Sequence, residues 1–148
     1  MTDWKKIEDH AVSLFLDGGF YCSEAILKAY NEGLNIGLDE KALKMATGFG
    51  VGFGGAQCSC GSVTGAVLAA SALKGRTAGN ESEAPAFLAA QKIHDEFKAK
   101  YKAICCRALT KDVVWGTPEH TQFCSRYVRS AAEILSGILK ETGGKENE

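Results

Sequence analysis

Between about residues 60 and 73 the chain offers no polar face. The run Cys-Gly-Ser-Val-Thr-Gly-Ala-Val-Leu-Ala-Ala-Ser-Ala-Leu is apolar or small at every helical position, and a helix of that kind must be covered on all sides. Gly65, Ala66, Ala69, Ala70 and Ala72 carry so little side chain that neighbouring backbones can approach closely. The apolar stretch is shorter than the ~18 residues of a membrane span, and Thr64 and Ser71 interrupt it. It is therefore expected to be the buried central helix of a globular fold, stopped by Gly75.

The flanking sequence supplies amphipathic helices to cover it. Trp4, Ile7, Ala11, Leu14 and Phe15 form a stripe of period near 3.6, closed by Gly18-Gly19. A second stripe, Cys22, Ala25, Ile26, Ala29 and Tyr30, runs from about 22 to 34, with Ser23 and Glu24 favourable at its start. Asp39 is an N-cap candidate for a third helix through Leu43, Met45 and Ala46. Residues 76–83 are polar and read as an exposed connection. Pro85 suits the first turn of a long helix over 83–101, striped by Phe87, Ala90, Ile93, Phe97 and Tyr101. Thr117-Pro118-Glu119 starts the last helix, which Gly143-Gly144 is expected to end, leaving a frayed tail within 141–148. Residues 103–116 have no clear periodicity. No segment alternates as a strand would. The expected fold is all-α, a single domain over 1–148 with about five or six helices.

A chain of 148 residues can bury roughly 68–70% of its unfolded surface, enough to fold without staples. Its 17 basic residues balance 18 acidic ones, with no block of like charge, so neither nucleic acid nor a membrane surface is an expected partner. The polar start, Met-Thr-Asp-Trp-Lys-Lys, has no apolar core of a signal peptide, and a cytoplasmic setting is expected.

Gly48 to Gly55 holds five glycines in eight residues. Each costs about 1 kcal/mol against Ala in a helix, so the run reads as a tight loop or a broken helix end. Its formal GxGxxG (Gly50, Gly52, Gly55) lacks the preceding strand and the later acidic residue of a dinucleotide site. Crowding fits better: Gly52, Gly54 and Gly55, with Gly61 and Gly65, let the backbone pack closely around a site. His10, His94 and His120 lie in polar helical surroundings and read as surface residues.

The chemistry lies in six cysteines, at 22, 58, 60, 105, 106 and 124. No C-x-x-C pair exists, so zinc-ribbon, thioredoxin and bacterial ferredoxin spacings are absent. Cys22, Cys60 and Cys124 each fall at or near an expected helix start, where the N-terminal partial charge favours thiolate, the form that binds metal or attacks disulfides. Free cysteine is also a common core residue, so any single one could be inert.

The order Cys22-Ser23-Glu24-Ala25, Gly48-Phe49-Gly50, Cys60-Gly61-Ser62-Val63-Thr64-Gly65, Phe97-x-x-Lys100-Tyr101, Cys106-Arg107-x-Leu109 and Cys124 resembles a family of small redox-active proteins. That family is named after its motif, C_GCAxxG_C_C, whose core is Cys-Gly-Ala-x-x-Gly; Ser62 stands here where the family has Ala. The resemblance covers nearly the whole chain. It implies that the four family cysteines are Cys22, Cys60, Cys106 and Cys124, with Cys58 and Cys105 as additions. It implies a redox role and an iron–sulfur cluster as a candidate cofactor. Zinc held by four thiolates, or a metal-free thiol/disulfide couple, are the alternatives. A redox partner is implied, and a homo-oligomer is left open. If the four act together their sulfurs must cluster, and adjacent Cys105 and Cys106 must face different ways, being about 100° apart on a helical turn.

Overall fold

A computed structural model describes residues 1–146. The chain is 70% helical and contains no strand among the described residues. Five helices form the body: α1 (Trp4–Leu16), α2 (Cys22–Gly33), α5 (Gly61–Lys74), α6 (Ala84–Tyr101) and α8 (Pro118–Glu146). Between them lie α3 (Glu40–Lys44), a single 3-10 turn (Thr47–Phe49), the kinked α4 (Gly50–Gly55) and the one-turn α7 (Cys106–Leu109). Helix α5 sits in the middle, packed by α2, α6 and α8, while α1 closes the outer side of α2 and α8. The small-residue reading of this segment holds from Gly61 to Ala70, where the residues are buried or nearly so. The final turn emerges, with Leu73 exposed.

Glycine makes the α2–α5 approach possible. A Cβ at Gly65 would stand 2.8 Å from Ser23 Cα and 2.9 Å from Ser23 O, inside the α2 backbone. One at Gly61 would run into Cys22 Sγ and come within 3.1 Å of Phe49 O.

Local signals start the helices as expected. Asp39 Oδ1 accepts from Ala42 N–H at 2.9 Å, and Thr117 Oγ1 accepts from His120 N–H at 3.2 Å. Glu24 Oε1 accepts from Tyr21 N–H, the reaching-back half of a capping box. Two boundaries differ. Residues 103–116, without periodicity, contain α7, whose four residues are too few to show a period. Helix α8 continues past Gly143-Gly144 to Glu146, because extending a formed helix fixes only one further residue per hydrogen bond. Residues 147–148 of the expected tail lie outside the described residues.

The α2–α8 contact is locked by a buried polar group. Tyr30, fully buried, donates through its hydroxyl to Ala132 O at 2.7 Å and lies 2.6 Å from Ser136 Oγ. Tyr30→Phe removes the donor and strands Ser136 in the core. We expect a loss of about 1–2 kcal/mol in urea-denaturation midpoint analysis, with the slope unchanged.

Candidate functional site

The glycine run is not a loop but a left-handed turn. Val51, Gly52, Phe53, Gly54 and Gly55 have φ of +55°, +60°, +56°, +65° and +101°. That conformation costs an L-residue roughly 1–2 kcal/mol, which explains why three of the five are glycine. Gly52 is also a close approach, since a Cβ there would fall on the backbone of Gln57 and Cys58. Gly54 and Gly55 crowd nothing: added side chains would meet one atom at 3.9 Å and none within 4 Å. Their role is conformational, and close packing does not account for them.

After this turn the irregular segment 57–60 lies alongside 104–107. Cys60 N–H donates to Ile104 O at 2.6 Å, and Arg107 N–H donates to Gln57 O at 3.1 Å. Between these two rungs a disulfide joins Cys58 to Cys105. The other four cysteines are free thiols. All four line one cavity of about 450 Å3.

Each thiol arrives on a different element. Cys22 is the first residue of α2, Cys60 caps α5, and Cys106 opens α7. Cys124 lies in the second turn of α8, which begins at Pro118. It is near the helix start rather than in the first turn, since Pro118 as the N1 residue fixes the start six residues earlier. Cys105 and Cys106 diverge, the first into the disulfide and the second into the cavity.

The four thiols have unequal environments. Cys60 is lowered to about 7, because the Cys106 thiol donates to it and the Ser62 and Val63 N–H groups at the start of α5 point at its sulfur. Cys22 is pushed up to about 12 by burial and by Cys60, against the opposing effect of the Val51 and Ser23 N–H groups. Cys124 also rises to about 12, through burial and Cys60. Cys106 rises as the proton donor to Cys60. Beside Cys60 lies Ser62 Oγ, the buried side-chain polar atom without a well-aligned hydrogen-bond partner among the described residues.

Sequence reasoning missed the cavity wall. His120, expected on the surface, is half-buried on the cavity wall and packs against Trp115 in a tilted arrangement with ring centroids 4.2 Å apart. Its Nδ1 accepts from Gly116 N–H at 3.2 Å, and burial lowers its pKa, so the ring is neutral. The placement of Trp115, Gly116 and His120 on the cavity wall has no local sequence signature. His10 and His94 pair with Glu32 and Asp95 and stay outside the cavity.

In the metal-free protein, the thiolate absorbance and alkylation rate of Cys60 are expected to rise with a midpoint near pH 7. Cys106→Ala, which removes the donor, should move that midpoint toward the ordinary cysteine value. An unmoved midpoint would sink this assignment. Folding stability follows with opposite signs on two sides of pH 9. The Cys60 contribution is fully present above the unfolded value of 9.0 and is lost as pH falls through about 7. The Cys22 and Cys124 contributions are present below 9.0 and are lost as pH rises toward 12. Urea melts of the metal-free chain should therefore show their thiol-linked maximum near pH 9.

A helical domain that gathers four free thiols into one cavity falls in the class of cysteine-based redox proteins. Over residues 20–138 the chain matches the family model described as "Putative redox-active protein (C_GCAxxG_C_C)", and it belongs to that family. No curated protein and no solved structure matches it. No described helix is long and apolar enough to cross a membrane.

Proposed function

We propose that the protein is an electron carrier in which Cys22, Cys60, Cys106 and Cys124 hold an iron–sulfur cluster. The observation that carries this reading is the sorting of the six cysteines: four free thiols from four separate elements share one cavity, and the two additional ones are joined to each other. Four thiolates are the donor set of such clusters. Among the described residues no group of three or more His, Cys, Asp or Glu is placed to hold a single metal ion.

When bound, the cluster supplies a one-electron carrier. The chain's own groups prepare the site. The N–H groups of Val51 and Ser23 stabilise a Cys22 thiolate, and those of Ser62 and Val63 a Cys60 thiolate. Hydrogen bonds of this kind to sulfur tune potential. Burial and mutual repulsion hold Cys22, Cys106 and Cys124 neutral, a cost that a cationic centre offsets. Phe15, Phe20, Trp115 and Tyr127 wall the cavity with apolar surface. No general base is required. The setting is cytoplasmic, and an external redox partner receives the electron.

A second reading has its own support. The closeness of the Cys106 thiol to Cys60 in one cavity and the lowered Cys60 pKa are what a dithiol couple needs. That pair would form a disulfide by releasing two electrons and two protons to an acceptor. Anaerobic reconstitution with iron and sulfide separates the readings. The wild type should acquire visible charge-transfer absorption and retain iron, and Cys60→Ala should not. If neither binds iron while the wild type shows a reversible two-electron thiol titration, the dithiol reading replaces the cluster. Zinc alone in anaerobically purified protein would overturn both.

A further inference from the structure

The structure points to a second redox site: we propose that Cys58–Cys105 is an exchangeable disulfide, reduced by dithiols, that latches the four-thiol cavity. The inference rests on the reading of Cys60 and Cys106 as site thiols. Three rungs join segment 57–60 to segment 104–107. Two are the backbone hydrogen bonds Cys60 N–H to Ile104 O and Arg107 N–H to Gln57 O. The third, between them, is the disulfide. These segments deliver two of the four cavity thiols: Cys60 lies two residues from Cys58, and Cys106 directly follows Cys105.

The bond can be reached from solvent. Cys58 is exposed, as are Gly54, Gly55 and Ala56 before it. The four cavity thiols, by contrast, are buried or half-buried. In a reducing compartment, disulfides that persist in a folded protein are usually catalytic or redox-sensing. The chain also buries a core large enough that a staple is not needed to fold it.

The exchange balances with a dithiol as reductant. One thiolate of the dithiol attacks Cys58 Sγ, the Cys58–Cys105 bond breaks, and Cys105 leaves as thiolate and takes up a proton. The second sulfur of the dithiol then attacks the mixed disulfide, and Cys58 departs and is protonated in turn. Two electrons reach the protein, and the dithiol becomes a disulfide. The same steps in reverse close the latch. With the covalent rung gone, the two backbone hydrogen bonds remain to join the segments that carry Cys60 and Cys106.

Differential alkylation with peptide mass mapping tests this on the full chain, prepared free of iron so that the result does not depend on the cluster. Under native conditions dithiothreitol should make Cys58 and Cys105 alkylatable, and oxidised dithiothreitol should restore the bond. After reduction, Cys60 and Cys106 should alkylate about tenfold faster, because losing a cross-link promotes local opening. The double variant Cys58→Ser/Cys105→Ser should show that faster rate without any reductant, with helical circular dichroism unchanged. Reduction only after denaturation would make the bond a structural staple and overturn the proposal. So would failure of an oxidant to form it, its transfer to Cys60 or Cys106, or an unchanged alkylation rate at those two residues. A chain that never binds iron but gives the expected alkylation pattern would sink the cluster reading and leave this one standing.

Discussion

Cys106→Ser is expected to lower iron retention after anaerobic reconstitution to less than about a tenth of wild type, whereas Cys105→Ser leaves most of it. Changes even to groups behind a metal ligand typically cost 10–100-fold, and loss of a ligand should not cost less. The asymmetry follows from where two adjacent residues point. Cys106 is buried and lines the cavity with Cys60. Cys105 is the residue before α7 and turns outward to Cys58. In Cys105→Ser the covalent rung is gone, but Cys60 N–H still meets Ile104 O and Arg107 N–H still meets Gln57 O. The measurement is iron and sulfide per chain after desalting, with circular dichroism to establish that both variants are folded. The reverse ranking would mean that the functional register runs through Cys105, and the four-thiol cavity would lose its meaning as the site.

The fold was largely legible because its strongest signal is local. A segment with no polar face has one stable environment, and residues 61–70 occupy it. Periods of 3.6 marked α1, α2, α6 and α8, and side-chain caps at Asp39 and Thr117 marked starts. What stayed hidden has physical reasons. A one-turn helix such as α7 shows no period. The hand of the turn at 51–55 depends on whether Val51 and Phe53 accept positive φ, and their identities alone argue against it. His120 reaches the cavity because residues 115–120 fold back across it, and nothing within those residues encodes that return. For the cysteines, spacing alone left six candidates. The order of motifs selected four, and the geometry that joins Cys58 to Cys105 lies in the pairing of two segments 47 residues apart in sequence.

The largest effect on the fold is expected from Gly65→Val. The substitution improves local helix propensity, since glycine is the worst ordinary residue inside a helix. Tertiary packing opposes it more strongly. The new Cβ would stand 2.8 Å from Ser23 Cα and 2.9 Å from Ser23 O. Both are backbone atoms, so no rotamer change relieves the contact, and α2 must move away from α5. Nor is Ser23 free to follow. It is fully buried, and its hydroxyl donates to Ala46 O at 2.8 Å, tying α2 to the chain that enters the left-handed turn. Overpacking of this kind typically costs about 1–3 kcal/mol. A backbone-to-backbone clash belongs at the upper end, which for a domain of this size is a fall of roughly 6–12 °C in Tm. The displacement also carries Cys22, the residue just before Ser23, away from Gly61 and Cys60, which lie about one turn before Gly65. Iron retention should therefore fall together with Tm, while Gly65→Ala, which leaves the smallest excess volume, should show a weaker form of both. Thermal unfolding followed at the helical circular dichroism band, paired with iron analysis of the same samples, tests the coupling. If Gly65→Val melted at or above the wild-type temperature, α2 and α5 would not be in the contact described, and the placement of Cys22 beside Cys60 would fall with it.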